Sequence, residues 1–171
     1  KSGINFFDVG TFYCNFRCET IFGQALRNTK DNIILSAKNS SHQASDEDWT
    51  KQLKNTLNKF ECKKLDIYFI HYLNYEVWEE YFILKGNLDK IIQAKKEGLI
   101  RYLGFSSHDT PDNVRILLDS GLFDVVILPY NLLNRNYEDI LQYAWEKGCG
   151  VIIMNPLAGG MLTNDNLYIN E

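Results

Sequence analysis

The sequence predicts an α/β fold: a parallel (β/α)8 TIM barrel, incomplete, with about strands two to seven present. Three observations predict it. Six short runs rich in Ile, Val, Leu, Phe and Tyr alternate with longer segments of helical periodicity, the pattern of repeated βα units. The runs lack strict polar alternation, as strands covered on both faces do. No G-x-G-x-x-G turn follows the first run, where Val9-Gly10-Thr11-Phe12-Tyr13 stands instead. That favours the closed barrel over a doubly wound nucleotide-binding sheet. A full barrel needs eight units and about 250 residues. The 171 residues here are read as one domain, 1–171, lacking the first and last strands.

The strand candidates are 4–9, 33–38, 66–71, 101–107, 125–131 and 150–156. Between them lie five helix candidates. The first, 19–27, is short. The second, 46–60, follows Ser45, carries Glu47 and Asp48 in its first turn, and repeats apolar residues at Trp49, Leu53 and Leu57. The third, 88–97, ends at Gly98, a helix-stop residue. The fourth, Pro111–Asp119, has Thr110 in the capping place and Pro111 at the first helical position. The fifth, 137–147, ends at Gly148.

Composition narrows the function classes. The chain is 45% hydrophobic and 23% charged, which is ordinary for a globular domain. Its net charge is −4 and its 18 basic residues are scattered, so nucleic acid is not the expected partner. No run approaches the roughly 18 to 20 apolar residues of a membrane span. The opening Lys-Ser-Gly-Ile-Asn runs straight into a strand, without a signal peptide. Four dispersed cysteines, Cys14, Cys18, Cys62 and Cys149, read as reduced thiols in a cytoplasmic protein. Cys14 and Cys18 have no second pair nearby, so no metal site is expected.

The residues that end the apolar runs carry the chemistry. Phe6-Phe7 ends in Asp8, the run 33–37 in Lys38 and 67–70 in His71. The fourth run ends in Ser106-Ser107 and the fifth in Asn131. In a βα barrel all of these face one rim, where catalytic loops gather, and Tyr13 stands on the first such loop. Each alone has an ordinary explanation as a solvated charge, a turn former or a rim aromatic. Together at successive strand ends they read as a site.

The words around them resemble the aldo-keto reductase family. Gly3-Ile4-Asn5-Phe6-Phe7-Asp8, then Tyr13, Glu19 and Gly23, is similar to that family's opening motif. Asp66-Ile67-Tyr68-Phe69-Ile70-His71 resembles its strand-four signature, and residues 98–107 (GLIRYLGFSS) resemble its G-K-I-R-x-I-G-V-S-N stretch. Residues 130–135 and 156–160 have counterparts too. His108-Asp109 and 154–160 are most similar to a bacterial and archaeal branch whose members often carry a C-terminal iron–sulfur ferredoxin-like segment. An iron–sulfur cluster would belong only to a longer parent chain.

The resemblance implies a nicotinamide-dependent oxidoreductase that reduces an aldehyde or ketone to an alcohol, or the reverse. Tyr13 would be the general acid, Lys38 would lower its pKa, Asp8 would hold Lys38, and His71 would hydrogen-bond the carbonyl oxygen. Cofactor contacts would come from Asp8, Ser106, Ser107, Asn131, Pro156, Leu157 and Gly159. The cofactor is NADPH or NADH, with NADPH slightly favoured. The partner is a small-molecule carbonyl substrate, and oligomeric state is unread. Two positions depart from the family: Ser107 stands where Asn is usual, and Ile127 where Gln is usual. Phe12, Tyr72, Tyr75 and Trp78 are aromatic candidates for either the rim or the core.

Other readings compete. Lys38 could be the Schiff-base lysine of a lyase, or His71, His108 and Asp109 the metal ligands of a hydrolase. Neither uses Tyr13. The alternative from another class is a non-catalytic cofactor-binding or regulatory barrel subunit, or an inactive fragment of a reductase.

Overall fold

A computed structural model describes residues 3–27, 33–43 and 48–163. Six strands form one sheet: β1 (Phe6–Gly10), β2 (Ile34–Asn39), β3 (Leu65–Ile70), β4 (Ile100–Ser106), β5 (Val125–Pro129) and β6 (Gly150–Met154). Their spatial order is their chain order, and every neighbouring pair is parallel. That arrangement is a run of consecutive βα units, which is how a barrel wall grows. Among the described residues nothing pairs with the outer edges of β1 and β6.

The helices are α1 (Cys18–Leu26), α2 (Trp49–Lys59), α3 (Tyr75–Val77), α4 (Asn87–Lys96), α5 (Pro111–Asp119) and α6 (Glu138–Glu146). Predicted boundaries at the described ends agree to within a few residues. Gly98 and Gly148 adopt φ of 70° and 75°, the left-handed conformation that stops a helix without steric cost. Thr110 caps α5 by accepting from the Asn113 N–H. For α2 the cap is Asp48, which accepts from the N–H groups of Thr50 and Lys51 at 2.8 and 3.1 Å. The expected opening at Ser45 lies outside the described residues.

One helical segment has no counterpart in the sequence reading. α3 begins after Asn74, whose side chain accepts from Val77 N–H, and runs on as π-helical turns through Trp78–Leu84. Trp78 and Phe82 are buried from it, and Trp78 packs on Phe123. Trp78 is therefore a core residue rather than part of the rim.

Side chains alternate across the sheet with period two. Phe7, Val9, Leu35, Ala37, Tyr68, Ile70, Leu103, Phe105, Val126 and Leu128 face the helices and join the larger core. The other parity gives a smaller inner cluster of Ile67, Phe69 and Ile127, with Phe6, Val125, Ile152 and Met154 against it. Asp8, Ser36, Lys38, Ser106 and His71 share that inner parity. Gly104 permits close packing there, since a Cβ would lie 2.4 Å from the Phe69 ring. Alternation, not a loop accident, aims the polar strand ends at one place.

Candidate active site

Asp8, Tyr13, Lys38, His71 and Ser106 line one cleft of about 220 Å3 at the carboxyl ends of the strands, together with Tyr72 and His108. Its opposite wall is apolar, made by Ile127, Ile152, Ile153 and Met154 of β5 and β6. Register explains the grouping: Asp8 lies opposite Ser36, Lys38 opposite Phe69, and Ser106 opposite Ile127.

Lys38 is buried and ion-paired to Asp8 Oδ2. The other carboxylate oxygen, Oδ1, accepts from the Ser36 hydroxyl at 2.6 Å. The Lys38 ammonium lies 5.7 Å from the centre of the Tyr13 ring and 5.8 Å from that of Phe69. Tyr13 is 44% exposed, and its ring flanks the cation. The ring rests on Gly10, where a Cβ would come within 2.9 Å of Tyr13 Cζ.

The electrostatics of Tyr13 differ from the expectation. Its pKa is raised, first by burial and then by the Asp8 carboxylate. His71 is pushed down to about 4, first by burial and then by the Lys38 charge, so it is neutral at physiological pH. Its Nδ1 is 3.1 Å from the Ser40 hydroxyl, and its ring meets Tyr13 edge-on with centroids 6.0 Å apart.

The predicted cofactor residues separate into two groups. Ser106 lines the cleft, and its hydroxyl oxygen accepts from Tyr72 N–H at 3.1 Å. Ser107 is fully buried; its hydroxyl donates to the Leu73 carbonyl and accepts from Asp109 N–H, so it organises the rim loop. Asn131 ties two loops, its amide donating to Asn155 O and its carbonyl accepting from Leu133 and Asn134 N–H. Pro156, Leu157 and Gly159 lie exposed beyond β6, and the Gly159 N–H is taken by Asn155 Oδ1 at 2.6 Å. None of these five, Ser107 included, lines the cleft.

Sequence reasoning missed Ser36 and Ser40, whereas Tyr72, an aromatic candidate for the rim, does line the cleft. Tyr72 has φ 55°, a strained value for an aromatic residue, and stacks on His108 at 5.3 Å while leaning on His71 at 4.4 Å. Phe12 instead packs edge-on against Phe16. Asp109 is committed to the loop, accepting from Tyr75, Thr110 and Asn113. Among the described residues no cluster of three His, Cys, Asp or Glu side chains could hold a metal ion. No described helix is long and apolar enough to cross a membrane.

Known proteins share this arrangement of sequence and fold. A model of the aldo/keto reductase family matches residues 1–170. The uncharacterized oxidoreductase YqkF of Bacillus subtilis is 27% identical, over 96% of this chain and 55% of that protein. The NADH-specific methylglyoxal reductase of Escherichia coli is 26% identical, over 95% of this chain and 55% of its own length. An aldo/keto reductase from Klebsiella pneumoniae, solved in complex with NADP and acetate, superposes with a TM-score of 0.80 and 24% identity. That match covers 99% of this chain and 59% of the other. The chain spans about half the length of the curated relatives it matches. The six strands are accordingly an incomplete barrel.

Proposed function

The chain belongs to the aldo/keto reductase family, and from that premise we propose that it carries the acid–base half of a carbonyl reductase site. The reaction is the reduction of an aldehyde or ketone to an alcohol, or its reverse, with Tyr13 as general acid. The observation that carries this reading is the meeting of Asp8, Tyr13, Lys38 and His71 in one cleft opposite an apolar wall.

The cleft suits the flat ring of a nicotinamide. Ile127, Ile152 and Met154 offer it an apolar face, and the Ser106 hydroxyl, which accepts from Tyr72, keeps its own proton to donate to a carboxamide. NADPH or NADH, when bound, supplies the hydride. The relatives point both ways on that choice, one structure holding NADP and one enzyme being named for NADH. Asn131, Pro156, Leu157 and Gly159 would shape the loops that flank the longer part of the cofactor.

The chain's own residues handle the oxygen. Neutral His71 donates a hydrogen bond to the carbonyl oxygen and fixes its position. As hydride reaches carbon, that oxygen becomes an alkoxide, a far stronger base than a phenolate. Tyr13 therefore gives up its proton even with a raised pKa, and the Lys38 ammonium stabilises the phenolate it leaves. Asp8, ion-paired to that ammonium and itself held by Ser36, keeps it in place. Solvent returns the proton through the exposed side of Tyr13.

Tyr13→Phe in the full encoded chain tests the proposal. Carbonyl reduction should fall by about 10^2 to 10^4, the usual contribution of a positioned acid. Binding of NADPH or NADH, followed by quenching of tryptophan fluorescence, should be unchanged. Retained turnover removes Tyr13 from the reaction.

A further inference from the structure

Ser40 sits just after β2, fully buried, with its hydroxyl oxygen 3.1 Å from Nδ1 of His71. A buried chain of hydrogen bonds holds it there. Its backbone N–H donates to Gln52 Oε1 at 2.7 Å, and Gln52 Nε2 donates to the Thr11 hydroxyl at 3.3 Å. Thr11 in turn donates to the Lys38 carbonyl at 2.9 Å. One amide on α2 thus ties together the loop carrying Tyr13, the strand end carrying Lys38, and the residue facing His71. The His71 backbone is fixed as well, its N–H donating to Asn39 O at 2.8 Å.

A hydroxyl with no access to water must place its proton on an acceptor. Among the described residues, Nδ1 of His71 is the partner of the Ser40 hydroxyl. If Nδ1 carried the ring proton, Ser40 could only accept, and its own proton would be stranded. If Ser40 donates, both groups are satisfied and the ring proton sits on Nε2. That nitrogen, on the other side of the ring, is the one left to the cleft. Burial and the neighbouring Lys38 ammonium keep the ring neutral, so its tautomer decides whether it offers the cleft a donor or an acceptor.

We infer that Ser40 is a positioning residue that locks His71 in the Nε2–H tautomer, so that the ring presents a donor to the substrate oxygen. The inference rests on the proposal that His71 meets the carbonyl. Gln52 serves it at one remove, by holding the Ser40 backbone.

Long-range 1H–15N spectra of the full encoded chain at neutral pH read the tautomer directly, with the His71 signals assigned by their loss in His71→Gln. The expected pattern is an unprotonated Nδ1 and a protonated Nε2. Ser40→Ala should shift His71 toward the Nδ1–H form and lower kcat roughly tenfold, the order of one weakened oxyanion contact. Ser40→Thr keeps the hydroxyl and should restore both. An Nδ1–H pattern in the wild type, or an unchanged tautomer in Ser40→Ala, overturns the assignment. The spectra need no turnover. An Nε2–H pattern beside full activity in His71→Gln would therefore sink the catalytic reading and leave the Ser40 assignment standing.

Discussion

Two regions of the molecule use the same three groups to opposite ends. At the cleft, the Asp8 carboxylate takes a hydroxyl from Ser36 on one oxygen and the Lys38 ammonium on the other. Between α1 and α2, the Glu19 carboxylate takes the Thr56 hydroxyl at 2.8 Å and the Lys59 ammonium at 2.7 Å. What differs is which ion is buried. In the helix pair the Glu19 side chain is 1% exposed and Lys59 34%, so the cation reaches solvent and the anion is the buried member. In the cleft pair Lys38 is 6% exposed and Asp8 25%. The buried member is then the cation, and it faces the Tyr13 ring across 5.7 Å. The first arrangement latches two helices. The second holds a positive charge where a reaction can use it.

Matched substitutions break or sharpen that contrast. Lys59→Met leaves Glu19 buried without its cation, and such broken pairs cost about 3–5 kcal/mol. The denaturant midpoint should fall accordingly, while activity per folded molecule stays at the wild-type value. Lys38→Met leaves the more exposed Asp8 free to hydrate, so its stability cost should be smaller, about 1–2 kcal/mol. Its carbonyl reduction should drop by about 10^2 or more, because the phenolate loses its counterion. Activity lost in folded Lys59→Met, or kept in Lys38→Met, would erase the distinction.

Glycines give the same contrast at smaller amplitude. At Gly23 a Cβ would lie 2.0 Å from the Lys59 carbonyl oxygen, a backbone atom that can move only with α2. Gly23→Ala should therefore destabilise by about 1–3 kcal/mol, the usual cost of overpacking. At Gly10 the Cβ would meet the far end of the Tyr13 ring at 2.9 Å, and a side chain can swing away. Gly10→Ala should leave the thermal midpoint nearly unchanged and lower kcat roughly tenfold through the displaced hydroxyl. A large loss of stability in Gly10→Ala would mean that the ring is a packing element first.

Much of this was legible in the sequence because strands report themselves in period and termination. The apolar runs ended in Asp8, Lys38, His71 and Ser106, and the sheet's alternation and parallel register brought those residues to one cleft. Ile127, conspicuous as a departure, proved to be part of the apolar wall. Other features depend on partners far apart in the chain. Ser40 meets His71 across 31 positions and Gln52 meets Thr11 across 41, so no local pattern announces them. Ser107 looked like its neighbour Ser106, yet opposite side-chain parity sent it into the loop. The segment Trp78–Leu84 escaped because π-helical turns break the 3.6-residue period that marks a helix. The sign of the Tyr13 shift turned on burial of the ring and then on the nearby Asp8 carboxylate, which spacing does not reveal.

The smallest predicted effect compares two histidines by pH. His71 at the cleft and His42, packed on Tyr81 and Phe82 in the helix layer, are both held down to about 4, in each case first by burial. An ordinary histidine titrates near 6.5, so between those values the unfolded chain binds protons that the folded one refuses. Stability from each ring is therefore fully present above about pH 6.5 and is lost as pH falls toward 4. Between pH 7 and pH 6 the loss is under about 1 kcal/mol per ring, growing below that. His42→Phe should remove about half of this pH dependence in denaturant titrations and leave reduction at pH 7 intact. His71→Gln should remove the other half and lower activity as well. If His42→Phe leaves the slope unchanged, its ring is protonated in the folded protein, and burial in the helix layer is not what holds it neutral.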